Sequence, residues 1–161
     1  MYEFVYYQVR DVMTSDPITV LQNVTLAAAE KILEEHDFNG LPVVDHENRL
    51  IGMVTKLDLL KAFAFMKRRK IPRYDTIMSQ HVSQIMVRNP IAFTPDNPLT
   101  RVLQEMIKSR YKSFPVVEND LLVGIVARED ILKALRRASN DMLPDRSLLF
   151  DRPDTPEVSN I

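Results

Sequence analysis

The chain has 161 residues, 45% of them apolar and 27% charged, which suits one globular domain, or two very small ones packed as a unit, with a core of its own. It has no cysteine, which excludes disulfides, iron–sulfur clusters, thiolate zinc sites and a cysteine nucleophile together. A formal net charge of −1 gives no overall pull toward nucleic acid.

Met1 to Tyr7 is aromatic and reads as an extended segment that adds a strand or packs on a neighbour. No basic region followed by an apolar run stands there, so no secretory signal is expected. No apolar stretch approaches the ~20 residues needed to span a bilayer. The expectation is a soluble cytoplasmic protein.

From Val9 onward the chain repeats itself. Residues 9–44 align with 82–117, one residue is lost in a polar turn, and residues 50–63 then align with 122–135. Val9, Met13, Pro17, Ile18, Leu26, Pro42, Val43 and Val44 meet identical partners in the second copy. So do Leu50, Gly52, Val54, Asp58, Leu60, Lys61 and Ala62. Average composition yields an identity at only about one position in sixteen by chance.

Each copy opens on an extended segment, Asp16–Val20 or Asn89–Phe93, because the residue before proline avoids helix and a β-branched or aromatic run favours strand. A helix follows. Leu26, Ala29, Ile32 and Leu33 recur at helical spacing, as do Leu99, Val102, Leu103, Met106 and Ile107 after the start Asp96-Asn97-Pro98. Two apolar runs split by a polar turn come next: Leu41–Val44 and Leu50–Val54, then Phe114–Val117 and Leu121–Val126. A second helix closes each copy from about Lys56 and about Arg128. The fold class is therefore α/β (α+β), with each copy strand-helix-strand-strand-helix. The divisions are an N-terminal extension 1–8, repeat 9–66, a basic linker 67–81, repeat 82–138 and a loosely held tail 139–161, which has prolines and charge but no periodicity.

The informative motif is Gly52-Met53-Val54-Thr55-Lys56-Leu57-Asp58, matched by Gly124-Ile125-Val126-Ala127-Arg128-Glu129-Asp130. A glycine within a strand lets another group approach its backbone. Thr55 puts a hydroxyl at a strand-to-helix junction, where free N–H groups favour an anion, and Lys56 and Arg128 add positive charge. Asp58 or Asp130 could accept two hydrogen bonds from a ribose diol. A second reading stands beside this one: Thr55-x-x-Asp58 is also a helix capping box with an unusual acid. Ala127 cannot cap with its side chain, yet Asp130 is kept, so a reciprocal box does not account for the second copy.

The M-x-x-x-P-I opening, the L-P-V-V or F-P-V-V strand and the G-h-h-x-x-x-D close together resemble the CBS domain, the module named from cystathionine β-synthase. Both copies match, over about residues 9–137, as in a tandem pair, or Bateman module. The resemblance implies two copies packed by their sheets with pseudo-twofold symmetry, and up to two clefts that bind adenosyl compounds. It implies that Asp58 and Asp130 hold ribose and that Thr55, helped by Lys56, sits at the phosphate. Ala127 departs from that pattern, and Arg128 is the residue placed to compensate. By the same resemblance Ile18, Thr19 and Val20, with Ile91, Ala92 and Phe93, line the base pocket. Asn39, Gly40, Leu41 and Pro42 form the loop near the nucleoside, and Lys112, Ser113, Phe114 and Pro115 take that place in the second copy. Phe93 and Phe114, bulkier than Val20 and Leu41, either stack on a base or fill the second cleft, and the plainer reading places both in the core.

The expected function is a regulatory module that senses an adenine nucleotide, AMP, ADP, ATP or the S-adenosylmethionine class, with no required cofactor, no metal and no catalytic residue. The alternative is a ligand-free dimer acting as a protein-interaction scaffold, with an effector protein as partner in either case. An enzyme fits poorly, for want of an activated nucleophile, a histidine partner or a glycine loop. Leu57, Leu59, Leu60, Ala62, Phe63, Ala64, Phe65 and Met66 are apolar around more than one helical stripe, which predicts a homodimer through the second helix of each repeat. Lys67-Arg68-Arg69-Lys70-Ile71-Pro72-Arg73 reads as a solvated linker face, with nucleic acid an unfavoured partner.

Overall fold

The computed structural model describes residues 3–64 and 73–140. Phe65, Met66, most of the basic run and the tail from 141 lie outside the described residues. After short 3-10 turns at Glu3–Tyr6 and Val9–Asp11, the first repeat runs β1 (Thr14–Ser15), β2 (Val20–Leu21), α1 (Leu26–Glu35), β3 (Gly40–Val44), β4 (Leu50–Thr55) and α2 (Lys56–Ala62). A short helix α3 (Tyr74–Met78) and a 3-10 turn at Val82–Gln84 lead into the second: β5 (Val87–Arg88), α4 (Leu99–Ser109), β6 (Ser113–Glu118), β7 (Leu121–Ala127) and α5 (Arg128–Asn140). The mixed architecture with two related repeats is the expected one.

The elements form where local chemistry favours them. The Thr25 hydroxyl accepts the Ala28 N–H and starts α1, which buries Leu26, Ala29 and Leu33. Both hairpins turn through left-handed residues, Asn48 in the first and Asn119 and Asp120 in the second, where Asn and Asp tolerate positive φ. The Asp45 carboxylate accepts the Glu47 and Arg49 amides, each at 2.9 Å, and closes the first turn.

The two opening segments change places. β1 pairs antiparallel with β7 of the second repeat, Thr14 opposite Ile125, and β5 pairs antiparallel with β4 of the first, Met53 opposite Val87. One sheet is therefore β1-β7-β6 and the other β2-β3-β4-β5. The segments just upstream exchange too. Val9 and Arg10 amides donate to Asn97 and Pro95 carbonyls, and Leu99 donates to Tyr7. Val82, Ser83 and Leu26 make the same three bonds to Val24, Gln22 and Gln80.

The glycines explain the exchange. A Cβ on Gly52 would meet Met86 Sδ at 2.8 Å and the Val87 carbonyl at 2.9 Å; one on Gly124 would meet Met13 Sδ and the Thr14 carbonyl at the same distances. The motif's methionine and glycine thus belong together across the repeats. Two cores result. One gathers Val20, Leu26, Leu33, Leu41, Val54 and Leu59 with Ile77, Met78, Val82 and Met86. The other gathers Phe4 and Val9 with Phe93, Leu99, Phe114, Val126 and Ile131. The extended segment expected at Met1–Tyr7 is, from Glu3, a 3-10 turn, because the buried Phe4 needs a compact anchor against α4 and α5. Of the extended openings expected at Asp16–Val20 and Asn89–Phe93, strand geometry survives only at Val20–Leu21 and as a single parallel bridge from Phe93 to Val116. Helix α3 stands in the stretch expected to be linker, and it buries Ile77 and Met78.

A candidate ligand cavity between the repeats

At the end of β4 the chain turns into α2 through Thr55. The Thr55 amide and hydroxyl both donate to Asp58 Oδ2, at 2.9 and 2.8 Å, and the Asp58 amide donates back to Thr55 Oγ1 at 3.2 Å. The capping box is therefore formed. It does not exhaust the carboxylate. Asp58 is 5% exposed, and its Oδ1 has only Lys61 Nζ nearby, at 3.8 Å. Oδ2 holds the helix start, and Oδ1 accepts no hydrogen bond among the described residues.

Asp58 lines a cavity of about 220 Å³ walled by both repeats. The first repeat contributes Asn39, Met53, Thr55, Lys56, Leu57, Asp58 and Lys61; the second contributes Val87, Pro90, Ile91 and the run Arg110 to Pro115. Strand exchange is the cause: β5 lies on β4 and carries Pro90 and Ile91 to the face of α2. Asn39 and Lys112, at equivalent positions, meet across the repeats, with Lys112 Nζ 3.4 Å from Asn39 Oδ1.

Nine of the residues singled out from sequence line this cavity: Asn39, Thr55, Lys56, Asp58, Ile91, Lys112, Ser113, Phe114 and Pro115. They come from both copies, where the motif pattern assigns each copy its own set. The others do not line it. Val20, Gly40, Leu41 and Pro42 are buried in the first repeat, while Ile18 is partly exposed and Thr19 half-buried just before β2. Ala92 is half-buried, and Phe93 packs edge to face on Phe114, ring centres 5.1 Å apart. Both rings are core, at 4% and 1% exposure, and Phe114 also lines the cavity.

Arg128 is committed elsewhere. Its guanidinium donates to the carbonyls of Arg110 and Tyr111 at the end of α4. Lys56 makes the corresponding contact in the first repeat, 3.7 Å from Asp37 at the end of α1. Asp130 keeps half of the capping box: its Oδ2 accepts the Ala127 amide at 2.8 Å. Burial pushes the Asp130 carboxyl above its ordinary range, while the Ala127 amide and then Lys133 pull it back and Glu129 adds to the rise.

Sequence reasoning missed Lys61, Arg110 and Tyr111, and the second repeat's Val87 and Pro90. Lys61 was visible as the next turn of the helix that carries Asp58. Val87 and Pro90 needed the exchange, which places the opening of the second repeat on the first, and Arg110 and Tyr111 needed the packing that brings the end of α4 beside α2.

A family model described as CBS domain matches residues 9–65 and 82–137. The chain is 36% identical over 124 residues to L-aspartate semialdehyde sulfurtransferase of Methanocaldococcus jannaschii, a match covering 76% of this chain and 22% of that enzyme. The chain therefore spans less than a quarter of this relative's length. Among solved structures, the CBS domain pair of protein MJ0100, in complex with 5′-methylthioadenosine and S-adenosyl-L-methionine, is 32% identical at a TM-score of 0.69, covering 82% of this chain and 98% of that one. A putative acetoin utilization protein from Vibrio cholerae is 27% identical at a TM-score of 0.73, covering 86% and 98%.

Proposed function

The chain belongs to the CBS domain family, with two copies in tandem, and on that premise we propose that it is a cytoplasmic, non-catalytic sensor of an adenosine-containing nucleotide. The observation that carries the reading is Asp58: a nearly buried carboxylate, lining a cavity walled by both repeats, with one oxygen fixed by Thr55 and the other accepting no hydrogen bond among the described residues. A ribose diol would donate to that free oxygen. The base would lie along the apolar side formed by Met53, Ile91 and Pro115, and the tail would reach the cations. The MJ0100 pair, 32% identical, was solved with two adenosyl ligands. The named enzymes among the relatives carry the matched stretch as a small part of their length, which supports an accessory, regulatory role.

Signalling follows from geometry. A ligand in this cavity touches Asp58 of one repeat and the Arg110–Pro115 run of the other. It favours whichever relative placement of the repeats closes the cavity, and it shifts the population only as far as its affinity differs between placements. The listener is a second copy and, through it, an effector protein. Leu57 and Leu60 on α2 and Leu132 on α5 are 58%, 68% and 58% exposed. Apolar side chains this exposed on two equivalent helices support a homodimer through those faces.

The test is a thermal-shift panel of AMP, ADP, ATP, S-adenosylmethionine, NAD, cyclic di-adenosine monophosphate and GTP. A ligand at 100 times its Kd stabilises by about 2.7 kcal/mol, or roughly 5–10 °C. A shift confined to adenosyl compounds, and lost in Asp58→Ala, is expected. A flat panel on folded protein would replace this reading with the ligand-free scaffold.

A further inference from the structure

The cavity carries a charge imbalance that ribose recognition does not use. Four cationic side chains line it, Lys56, Lys61, Arg110 and Lys112, against the single carboxylate of Asp58. Lys61 sits near Asp58 and Lys56 near the exposed Asp37 at the rim. Among the described residues, Arg110 and Lys112 have no carboxylate within ion-pair distance. Lys112 is held beside the cavity by Asn39. Arg110 ends α4 in a left-handed conformation, φ 62°, where Gly or Asn is the ordinary choice.

The repeat supplies an internal control. The positions equivalent to Arg110 and Lys112 are Asp37 and Asn39, and the position equivalent to Leu57 is Glu129. Around Asp130 the corresponding set thus holds Arg128 and Lys133 against Asp130, Asp37 and Glu129. Two copies of one scaffold thus differ in charge at matching places, Arg110 against Asp37, Lys112 against Asn39 and Leu57 against Glu129. Scaffold alone explains neither sign. The anion-attracting set is the one gathered at the cavity.

Resting on the adenosyl reading above, we propose that this cavity selects adenine nucleotides with two or more phosphates over AMP, and over S-adenosylmethionine. Each added phosphate brings negative charge and acceptor oxygens to Arg110, whose planar guanidinium binds phosphate in two-pronged fashion, and to Lys112 as a point charge. S-adenosylmethionine carries a sulfonium and an ammonium against one carboxylate, and would place net positive charge among four cations. The walls exclude part of the solvent, so these charges are less screened than on an open surface.

Isothermal titration of the full chain in magnesium-free buffer tests this with adenosine, AMP, ADP, ATP, S-adenosylmethionine and inorganic triphosphate. ATP and ADP are expected to bind at least about tenfold more tightly than AMP, consistent with one charge-assisted contact. S-adenosylmethionine and adenosine should be weakest, and ATP affinity should fall steeply with salt. Arg110→Gln with Lys112→Gln should lower ATP affinity at least about tenfold more than it lowers adenosine affinity. The far-ultraviolet spectrum and melting curve of that variant report whether it folds. ATP and ADP binding no tighter than AMP, or S-adenosylmethionine tighter than ATP, overturns the selection and leaves the adenosyl reading standing. Triphosphate binding without any adenosyl binding overturns the nucleoside reading and keeps the polyphosphate site. No binding of any compound overturns both.

Discussion

Replacing Gly52 with alanine tests the strand exchange directly. The new Cβ would lie 2.9 Å from the Val87 carbonyl and 2.8 Å from Met86 Sδ. The sulfur belongs to a flexible chain and can turn aside; the carbonyl is backbone and cannot. Ordinary contact begins near 3.4 Å, so β5 must withdraw by roughly half an ångström. Only two residue pairs join β5 to β4, Gly52 with Arg88 and Met53 with Val87, so a withdrawal of that size disturbs the whole pairing. Overpacking of this kind costs about 1–3 kcal/mol. No glycine here has positive φ, so alanine also returns about 0.4–1 kcal/mol by restricting the unfolded chain. The net expectation is a loss of about 1–2 kcal/mol, or roughly 2–8 °C in Tm. Gly124→Ala should behave alike, because Met13 and Thr14 stand in the same places. Gly40→Ala is the control: its closest neighbour is the Thr55 side-chain methyl at 3.1 Å, which can yield, and its nearest backbone atom, the Val54 carbonyl oxygen, lies at 3.3 Å, farther than the carbonyls at Gly52 and Gly124, so it should be the least costly of the three. Urea unfolding of the three variants gives the order. If Gly52→Ala and Gly124→Ala are no less stable than Gly40→Ala, close approach does not explain the motif's glycines.

Asp58→Ala should cost about 1 kcal/mol of stability in urea unfolding without ligand, through loss of the carboxylate oxygen that accepts the Thr55 amide and hydroxyl. Asp130→Asn keeps an oxygen for the Ala127 amide and removes a carboxylate that burial disfavours when charged. Because the folded pKa of Asp130 is raised, the wild-type chain loses stability relative to the variant as pH rises from about 4 through that folded value. Melting curves from pH 3.5 to 7 should show the difference growing upward, and a difference that shrinks would refute the assignment. Leu60→Glu should convert the proposed dimer to a monomer in sedimentation velocity while the far-ultraviolet spectrum stays that of the folded chain, since Leu60 is exposed within the chain.

The repeat, the element order and the capping motif were legible because they are local. Helical spacing, proline openings and hairpin turns act within a dozen residues. The exchange was not, because a two-residue pairing such as Thr14–Ser15 on Gly124–Ile125 has no periodicity to read. Its trace was the shared Met and Gly, which point at each other only once the sheets are known. The partnership of Phe4 with Ile77 was hidden more thoroughly. Both are buried at matched places, one in a 3-10 turn and one in α3, yet their neighbours Glu3, Val5, Thr76 and Met78 share nothing with each other. Burial asks only for an apolar side chain there. The partners of Arg128 were hidden for a related reason: from sequence, a cation at a helix start looks free, and only the fold brings the end of α4 within its reach.

The order in which the chain is synthesised now matters. Everything in the first core lies between Val20 and Met86, so that unit can close as soon as β5 has left the ribosome. The second core draws on both extremes, from Phe4 to Ala138. Thr14 is made early and waits for Ile125. Through that interval Phe4 and Val9 have no partner surface and stand open to wrong contacts, as expected of segments whose contacts are distant in sequence. The half of the molecule that begins first in the chain therefore finishes last, and the N-terminal residues are the latch that ends folding.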